Sequence, residues 1–237
     1  MVKTSIIDYS EHISLDVSAV FSLNPSKYSR KEITRKLEKN TENLAVPEQV
    51  HSTVVEFARF PGIYPVADGL VTINSNILLT LKVADCVPVY LYAPRKKIIG
   101  LVHSGWRGTA GKIVPNAIQL MQKNGAEIEE IRCFLGPAIG ICCYEVDSNV
   151  AHEFDDEAKI KIENACPPFR VDQNDQSWGK WKVGLHKQIS LQLTATGIPL
   201  ENIKTSNMCT FESRDCHSYR RDGKNAGRMF AFMGLKH

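Results

Sequence analysis

Four side chains capable of chemistry interrupt apolar or glycine-rich stretches of the sequence. Asp85 and Cys86 stand inside an apolar run, where an unpartnered carboxylate or thiol is costly to bury. His103 ends a second apolar run, and Arg107 follows just before a segment with helical periodicity. A histidine and an arginine in such positions are typical of a metal or anion site. The structural alternative is an inert buried cysteine and a glycine turn beside a hydrogen-bonded histidine.

Two further stretches differ from ordinary scaffold sequence. Residues 136–146 hold two glycines, a proline and the adjacent Cys142 and Cys143. Adjacent cysteines lack the spacing of a zinc pair, about 2–4 intervening residues, so we predict a constrained bend in which Cys143 faces a pocket. Residues 214–228 include Arg220 and Arg221 and carry a net charge of +3. Clustered arginines suit a phosphate or carboxylate, or else form a solvated basic surface.

The apolar runs predict the strands that position these side chains. Residues 77–92 predict a long buried strand with a kink near Asp85. Residues 98–103 predict a second strand, paired with the first as an antiparallel hairpin. Two shorter strands are predicted at 131–135 and 203–208.

Helical periodicity and capping residues predict four helices, over residues 26–45, 109–124, 147–158 and 181–196. The segment 163–178 contains two consecutive prolines and is predicted to be a loop. Because strands and helices alternate without an obvious break, we expect an α/β fold: a single domain over residues 1–237, with a mixed β-sheet flanked by helices.

Composition narrows the class of protein. The chain has 237 residues, 43% of them hydrophobic, and a net charge of +3, which is too small to indicate a nucleic-acid or membrane partner. No segment has the roughly 18 consecutive apolar residues of a membrane span, and the first residues lack the apolar core of a secretory signal. Seven cysteines at irregular spacing favour reduced thiols, so a cytoplasmic location is expected.

The residues alone indicate an α/β enzyme with a Cys/His site, because the common catalytic motifs are absent. Six segments in order, however, resemble the laccase-domain family, the YfiH-like group described as multicopper polyphenol oxidoreductases and as purine nucleoside phosphorylases. The segments are EQVHS (48–52), ADGLVT (67–72), ADCVPVYLY (84–92), VHSGWRG (102–108), GPAIGICCYEV (136–146) and CTFESRDCHSYRRDGKNAGRM (209–229). The glycine-rich signature common near the N-terminus of the family is missing from residues 20–29.

The resemblance implies a metal site formed by His51, Cys86 and His103. Two imidazoles and a thiolate suit Zn²⁺, and three protein ligands with one open position are typical of a catalytic site. The same ligands would also accept copper.

The resemblance also implies an activity: phosphorolysis of adenosine, inosine or guanosine, with methylthioadenosine cleavage and adenosine deamination as further reactions. Phosphate and a purine nucleoside are then the small-molecule substrates. We expect Arg107 to bind phosphate, with Arg220 and Arg221 as the next candidates, and Cys143 to contact substrate. Asp85, next to the ligand Cys86, is expected to orient a water molecule or a ligand imidazole.

Three other functions remain open at this stage. A copper-dependent polyphenol oxidase would use the same ligands. A hydrolase that edits peptidoglycan precursors would use Cys86 as a nucleophile, which conflicts with tight zinc ligation by the same sulfur. The third alternative is a non-catalytic zinc domain. The sequence gives no information on oligomeric state.

Overall fold

The computed structural model describes residues 6–23, 29–162 and 179–236. Its strands, in chain order, are β1 (Ile6–Asp8), β2 (Val17–Ser22), β3 (Leu44–Pro47), β4 (Val55–Phe57), β5 (Gly62–Tyr64), β6 (Gly69–Thr72), β7 (Leu78–Val83), β8 (Val87–Ala93), β9 (Ile98–Ser104), β10 (Arg132–Leu135), β11 (Glu145–Asp147), β12 (Lys159–Lys161), β13 (Lys180–Val183), β14 (Ile203–Thr205) and β15 (Met229–Leu235). Its α-helices are α1 (Arg30–Lys36), α2 (Trp106–Ala110), α3 (Ile113–Lys123), α4 (Ser148–Ala151), α5 (Leu185–Ala195) and α6 (Tyr219–Asp222).

The described strands form two six-stranded mixed sheets and one small antiparallel sheet. The first sheet has the order β1-β2-β15-β7-β3-β5, and its β7–β3 and β3–β5 pairs are parallel. The second has the order β14-β10-β8-β9-β6-β4, with parallel pairs at both edges. The third consists of β11, β13 and β12.

Strands β8 and β9 are buried on both faces, which explains why their sequences are continuously apolar. Alternate residues point to opposite sides. One face packs towards α3 and α5, with side chains such as Val89, Leu91, Val102, Ile118 and Ile189 in one hydrophobic cluster. The other face packs against the first sheet, with Tyr90, Leu101, Leu79 and Met233 in a second cluster. The central hairpin therefore lies between a helical layer and a second sheet.

The predicted α/β class with mixed strand pairing is confirmed, but the strands form several sheets rather than one. The hairpin of β8 and β9 is confirmed, with Val87 opposite Ser104 and Ala93 opposite Ile98. The single kinked strand predicted over 77–92 divides, near the predicted kink, into β7 and β8, which belong to different sheets. The backbone of Asp85 has φ of +83° at this crossing, where an extended strand cannot continue.

The predicted helices are longer than those observed. The 109–124 segment breaks between α2 and α3 at Lys112, whose φ is +63°. The 147–158 helix ends at Ala151, and the 181–196 helix begins only at Leu185 because the preceding residues pair as β13. The 26–45 helix is reduced to α1 within its described part.

The predicted loop at 163–178 lies outside the described residues. The strand predicted over 203–208 is shortened to β14. Organisation as a single domain over residues 1–237 stays a prediction. Within the described ranges, no helix combines the length and the apolar character needed to cross a membrane.

Candidate active site and metal centre

The pairing of β9 with its two neighbouring strands brings residues from three segments to one end of the second sheet. His103 lies near the end of β9, opposite Pro88 of β8, so the residues just before β8 lie beside it. On the other side, the backbone N–H of His103 donates to the carbonyl of Asp68, which precedes β6, at 2.7 Å. Antiparallel pairing on both sides of β9 thus places Cys86, His103 and Asp68 together, although 35 positions separate His103 from Asp68.

The structure brings the three predicted metal ligands into one group. Ligand atoms of His51, Cys86 and His103 all lie within 4.8 Å of one another. The two imidazole rings meet edge to face with centroids 5.1 Å apart. A Cβ at Gly105 would lie 2.9 Å from Cys86 Sγ and 3.4 Å from a ring carbon of His51, so only glycine leaves this space open. The donor set and the open space fit Zn²⁺.

Asp68 orients two of these candidate ligands. Its buried carboxylate contacts His103 Nδ1 at 2.8 Å and accepts the backbone N–H of His51 at 3.0 Å. The second carboxylate oxygen accepts from the backbone of Val50 and from the backbone and hydroxyl of Ser52. Desolvation alone would raise the pKa of Asp68, but the hydrogen bonds from His103 and Ser52 outweigh it and hold the pKa below its usual value. Carboxylate–histidine contacts of this kind fix the orientation of metal-binding imidazoles.

Two residues in the segment that carries His51 have left-handed backbone conformations. Gln49 has φ of +64° and His51 has φ of +61°, conformations that are uncommon for residues with side chains. They direct the N–H groups of residues 50–52 to the Asp68 carboxylate. Gln49 is further held by a pair of hydrogen bonds to the backbone of Lys82. Together with Asp85, these are strained positions of the kind that cluster at functional sites.

In the metal-free protein Cys86 and His103 influence each other's ionisation. Burial would raise the pKa of the Cys86 thiol, but the charge and hydrogen bonds of His103 and His51 outweigh burial and lower that pKa to about 6. Burial would lower the pKa of His103, but the Cys86 thiolate and Asp68 raise it to about 9. A thiolate facing an imidazolium is therefore the favoured neutral-pH form without metal.

Asp85 does not contact a ligand imidazole. Its buried carboxylate accepts the hydroxyls of Thr210 at 2.6 Å and Ser218 at 3.0 Å, and the backbone N–H of Arg220 at 2.6 Å. It therefore anchors the C-terminal segment beside the site. The carboxylate that contacts the imidazole is that of Asp68, whose role sequence reasoning missed. The available signal was an aspartate directly before an apolar strand.

The group of His51, Cys86 and His103 opens into a cavity of about 820 Å³. Among the described residues, four cationic side chains line it beside a single carboxylate, that of Asp85; the cations are Lys82, Arg107, Arg220 and Arg228. Three aromatic side chains also line it, those of Trp106, Tyr144 and Tyr219. The cavity thus combines a metal-type ligand set with positive charge and aromatic surface.

Two of the arginines stack on aromatic rings. The guanidinium of Arg107 lies 4.3 Å from the Trp106 ring centroid, and that of Arg220 lies 5.0 Å from the Tyr144 ring centroid. Burial, and then the negative charges of Cys86 and Asp85, raise the pKa of Tyr144 to about 12. Its phenol therefore stays protonated at neutral pH and can donate a hydrogen bond.

The structure places two predicted substrate-contact residues outside the cavity lining. The Arg221 guanidinium instead binds the carbonyl oxygens of Thr210, Phe211, Ser213 and Cys216, and the Asp222 carboxylate. Cys143 lies with its sulfur 3.3 Å from that of Cys142. Its neighbour Tyr144 reaches the cavity instead. Lys82 and Arg228 line the cavity although sequence reasoning did not select them, since each is one cation among many in the sequence.

Comparison with protein families identifies the fold. Residues 25–236 match the family described as multi-copper polyphenol oxidoreductase laccase. The chain belongs to this family. As a laccase-family chain it resembles the YfiH protein of Bacillus licheniformis, whose crystal structure superposes with a TM-score of 0.86 at 27% identity and covers 100% of this chain and 98% of that one.

Two relatives of this laccase-family chain bear functional names. The purine nucleoside phosphorylase YlmD of Geobacillus stearothermophilus is 39% identical over 175 residues, which are 73% of this chain and 61% of the relative. The matched segment thus spans about three fifths of that relative. An adenosine deaminase, RL5, from an unknown prokaryotic organism, is 30% identical over 217 residues, 85% of this chain and 79% of the relative.

Asp68→Asn should lower both the metal affinity and the stability of the fold. An amide nitrogen cannot accept the N–H and hydroxyl donors that now meet the carboxylate. We expect zinc affinity to fall about ten- to a hundredfold and the free energy of unfolding to fall by about 2 kcal/mol or more. Chelator competition and denaturant unfolding measure the two effects. Asp147→Asn, at an exposed ion pair with Lys180, is the control, and equal zinc affinity in the two variants would refute the role of Asp68.

In metal-stripped protein, Cys86 should react with iodoacetamide at unusually low pH. Because its pKa is lowered to about 6, the thiolate and the alkylation rate should rise through pH 6 and level off near neutrality. Cys142, whose pKa is raised above the ordinary value, is the control within the same protein. Peptide mass spectrometry at a series of pH values gives both rates. A Cys86 midpoint at or above pH 9 would contradict the thiolate–imidazolium pair.

Proposed function

We propose that this chain is a zinc-dependent purine nucleoside phosphorylase. It cleaves adenosine, inosine or guanosine, and methylthioadenosine, with phosphate to give the free base and a ribose 1-phosphate, and it also deaminates adenosine. One observation carries the proposal: a single cavity contains the His51, Cys86 and His103 group together with four cationic side chains. The names of these two relatives, a purine nucleoside phosphorylase and an adenosine deaminase, support the same substrate class.

The cations supply what phosphorolysis requires. A phosphate oxygen forms a bond to C1′ of the ribose while the bond from C1′ to the purine nitrogen breaks, and the released electron pair leaves with the purine, which takes up a proton. The phosphate must be held close to C1′ during this step. Arg107 can hold it through charge-assisted hydrogen bonds. Arg220 and Arg228 line the same cavity. The stacked position of Arg107 on Trp106 limits its freedom before phosphate binds.

The aromatic and apolar part of the cavity suits the purine. Trp106, Tyr144 and Tyr219 offer ring surfaces, and Ile139 and Leu185 extend the apolar wall. The protonated Tyr144 phenol can donate a hydrogen bond to a purine nitrogen. Flat, weakly polar bases bind well between such surfaces.

His51, Cys86 and His103 would hold the zinc ion, and Asp68 keeps the two histidine-bearing segments in place. Bound there, Zn²⁺ would supply Lewis-acid chemistry, polarising a substrate atom or activating water for attack on the purine ring in deamination. The open space at Gly105 leaves access to this position.

The histidines argue against a multicopper oxidase. Several copper centres would require many imidazole ligands, and the chain has seven histidines. In the described residues His12 stacks on Phe134, His186 bonds the Gly136 carbonyl at 2.8 Å, and the His217 ring lies against Gly227. Only His51 and His103 join a group of metal-type ligands within the described part of the chain.

The decisive experiment assays zinc-loaded protein on adenosine, inosine, guanosine and methylthioadenosine, with and without phosphate, and identifies products by mass. We expect base and ribose 1-phosphate only when phosphate is present. Cys86→Ala should lose zinc from the cavity group and slow turnover by about a hundredfold or more, the scale for losing one electrostatic contributor to the transition state. Full phosphorolysis by Cys86→Ala would refute the metal centre. Phenol oxidation by copper-loaded protein, without base release, would refute the nucleoside activity.

Arg107→Ala should raise the KM for phosphate and leave zinc content unchanged, because a guanidinium binds anions and cannot ligate a cation. Loss of a charge-assisted contact predicts a change of roughly ten- to a hundredfold. Arg95→Ala removes the same charge from the exposed turn between β8 and β9, which is not among the residues that line the cavity, and serves as the matched control. An unchanged phosphate dependence in Arg107→Ala would assign phosphate binding to Arg220 or another cation of the cavity.

A further inference from the structure

A second group of metal-type ligands lies apart from the residues that line the cavity. Cys142, Cys143, Cys209 and Glu212 each offer a ligand atom, and these atoms all lie within 4.8 Å of one another. The four residues come from two segments, the turn that follows β10 and the segment that follows β14. The spacing of adjacent cysteines had argued against a zinc pair, but the fold adds a third sulfur and a carboxylate from a distant part of the sequence.

Backbone hydrogen bonds hold both segments in register. Ala138 and Cys209 form a parallel β-bridge, and the Thr210 N–H donates to the Ala138 carbonyl at 3.0 Å. Within the turn, the N–H groups of Cys143 and Tyr144 both donate to the Gly140 carbonyl at 3.0 Å. The sulfur atoms are therefore presented by a fixed backbone rather than by free loops, as a preorganised site requires.

Gly140 provides an independent indication of a site built around sulfur. Its backbone N–H donates to Cys209 Sγ at 3.2 Å, a contact that stabilises a thiolate as outer hydrogen bonds do at metal sites. A Cβ at this position would lie 3.0 Å from Cys142 Sγ and 3.4 Å from Cys209 Sγ. The missing side chain thus leaves room for two sulfurs to approach one point.

We propose that Cys142, Cys143, Cys209 and Glu212 form a second metal site, which takes Zn²⁺ with three thiolates and one carboxylate. Four protein ligands describe a closed, structural site rather than a catalytic one. Binding replaces the thiol protons, so up to three protons pass to the buffer and no electron is transferred. The ion would join the turn that carries Tyr144 to the segment that carries Thr210, the partner of Asp85.

Metal stoichiometry tests the second site without any assay of activity. Reduced, metal-stripped full-length protein is titrated with Zn²⁺ and, for spectroscopy, with Co²⁺. We expect two equivalents in the wild type and one in Cys142→Ser/Cys143→Ser/Cys209→Ser. His51→Ala/His103→Ala should also bind one equivalent, and its Co²⁺ form should show the intense charge-transfer absorption of several thiolates. The proposal would be overturned if the triple cysteine variant bound as many equivalents of metal as the wild type, or if the double histidine variant bound no metal.

Two milder measurements avoid dependence on variants that fold poorly. Glu212→Gln, at an exposed position, should lower the zinc affinity of the second site by at least about tenfold, since even residues that only hydrogen-bond to metal ligands contribute about ten- to a hundredfold. In the wild type, Zn²⁺ should protect Cys142 and Cys143 from iodoacetamide, with peptides quantified by mass. Equal alkylation of these two cysteines with and without Zn²⁺ would overturn the proposal, whatever the result at Cys86 or with nucleosides.

Discussion

The buried Asp68 carboxylate is the constraint on which the candidate site depends. A desolvated carboxylate is tolerated only when its oxygens are satisfied, and here both oxygens accept hydrogen bonds, from the segment of residues 50–52 and from His103. The same bonds require left-handed backbone at Gln49 and His51. The position of His51 relative to His103 is thus set by one charged group, and a metal ion would meet ligands already ordered before it binds.

Asp85 plays the corresponding part for the C-terminal segment that lines the same cavity. It is also buried, and its partners Thr210, Ser218 and Arg220 belong to the C-terminal segment. By holding this segment against the crossing between the two large sheets, it brings the Arg220 and Tyr219 side chains to the cavity wall. One carboxylate therefore organises the metal-type ligands, and the other organises part of the cationic and aromatic surface.

The predictable features depend on local sequence or on motif resemblance. The hairpin of β8 and β9 follows from two apolar runs joined by a polar turn, and His51, Cys86 and His103 follow from family motifs. The hydrogen-bond partners of Asp68 and Asp85 could not be predicted, because they lie 16 to 35 and 125 to 135 positions away along the chain. Cys143 was expected at the cavity, but the turn at Gly140 directs Tyr144 there and leaves Cys143 beside Cys142. The directions of these side chains depend on the β-bridge between Ala138 and Cys209, two residues that are distant in the sequence.

The two groups of ligands are linked by short paths through the structure. Tyr144 follows Cys143 in the chain, lines the cavity and stacks on the Arg220 guanidinium. Thr210 follows Cys209 and donates to Asp85, which also accepts the backbone N–H of Arg220. Both paths from the cysteine group therefore end at Arg220. An ion that fixes Cys143 relative to Cys209 would also fix two groups that contact Arg220. These are the Tyr144 ring, which stacks on its guanidinium, and the Asp85 carboxylate, which accepts its backbone N–H. A structural metal in that place would act on anion binding through the position of Arg220, while the chemistry of the cavity ligands stays unchanged.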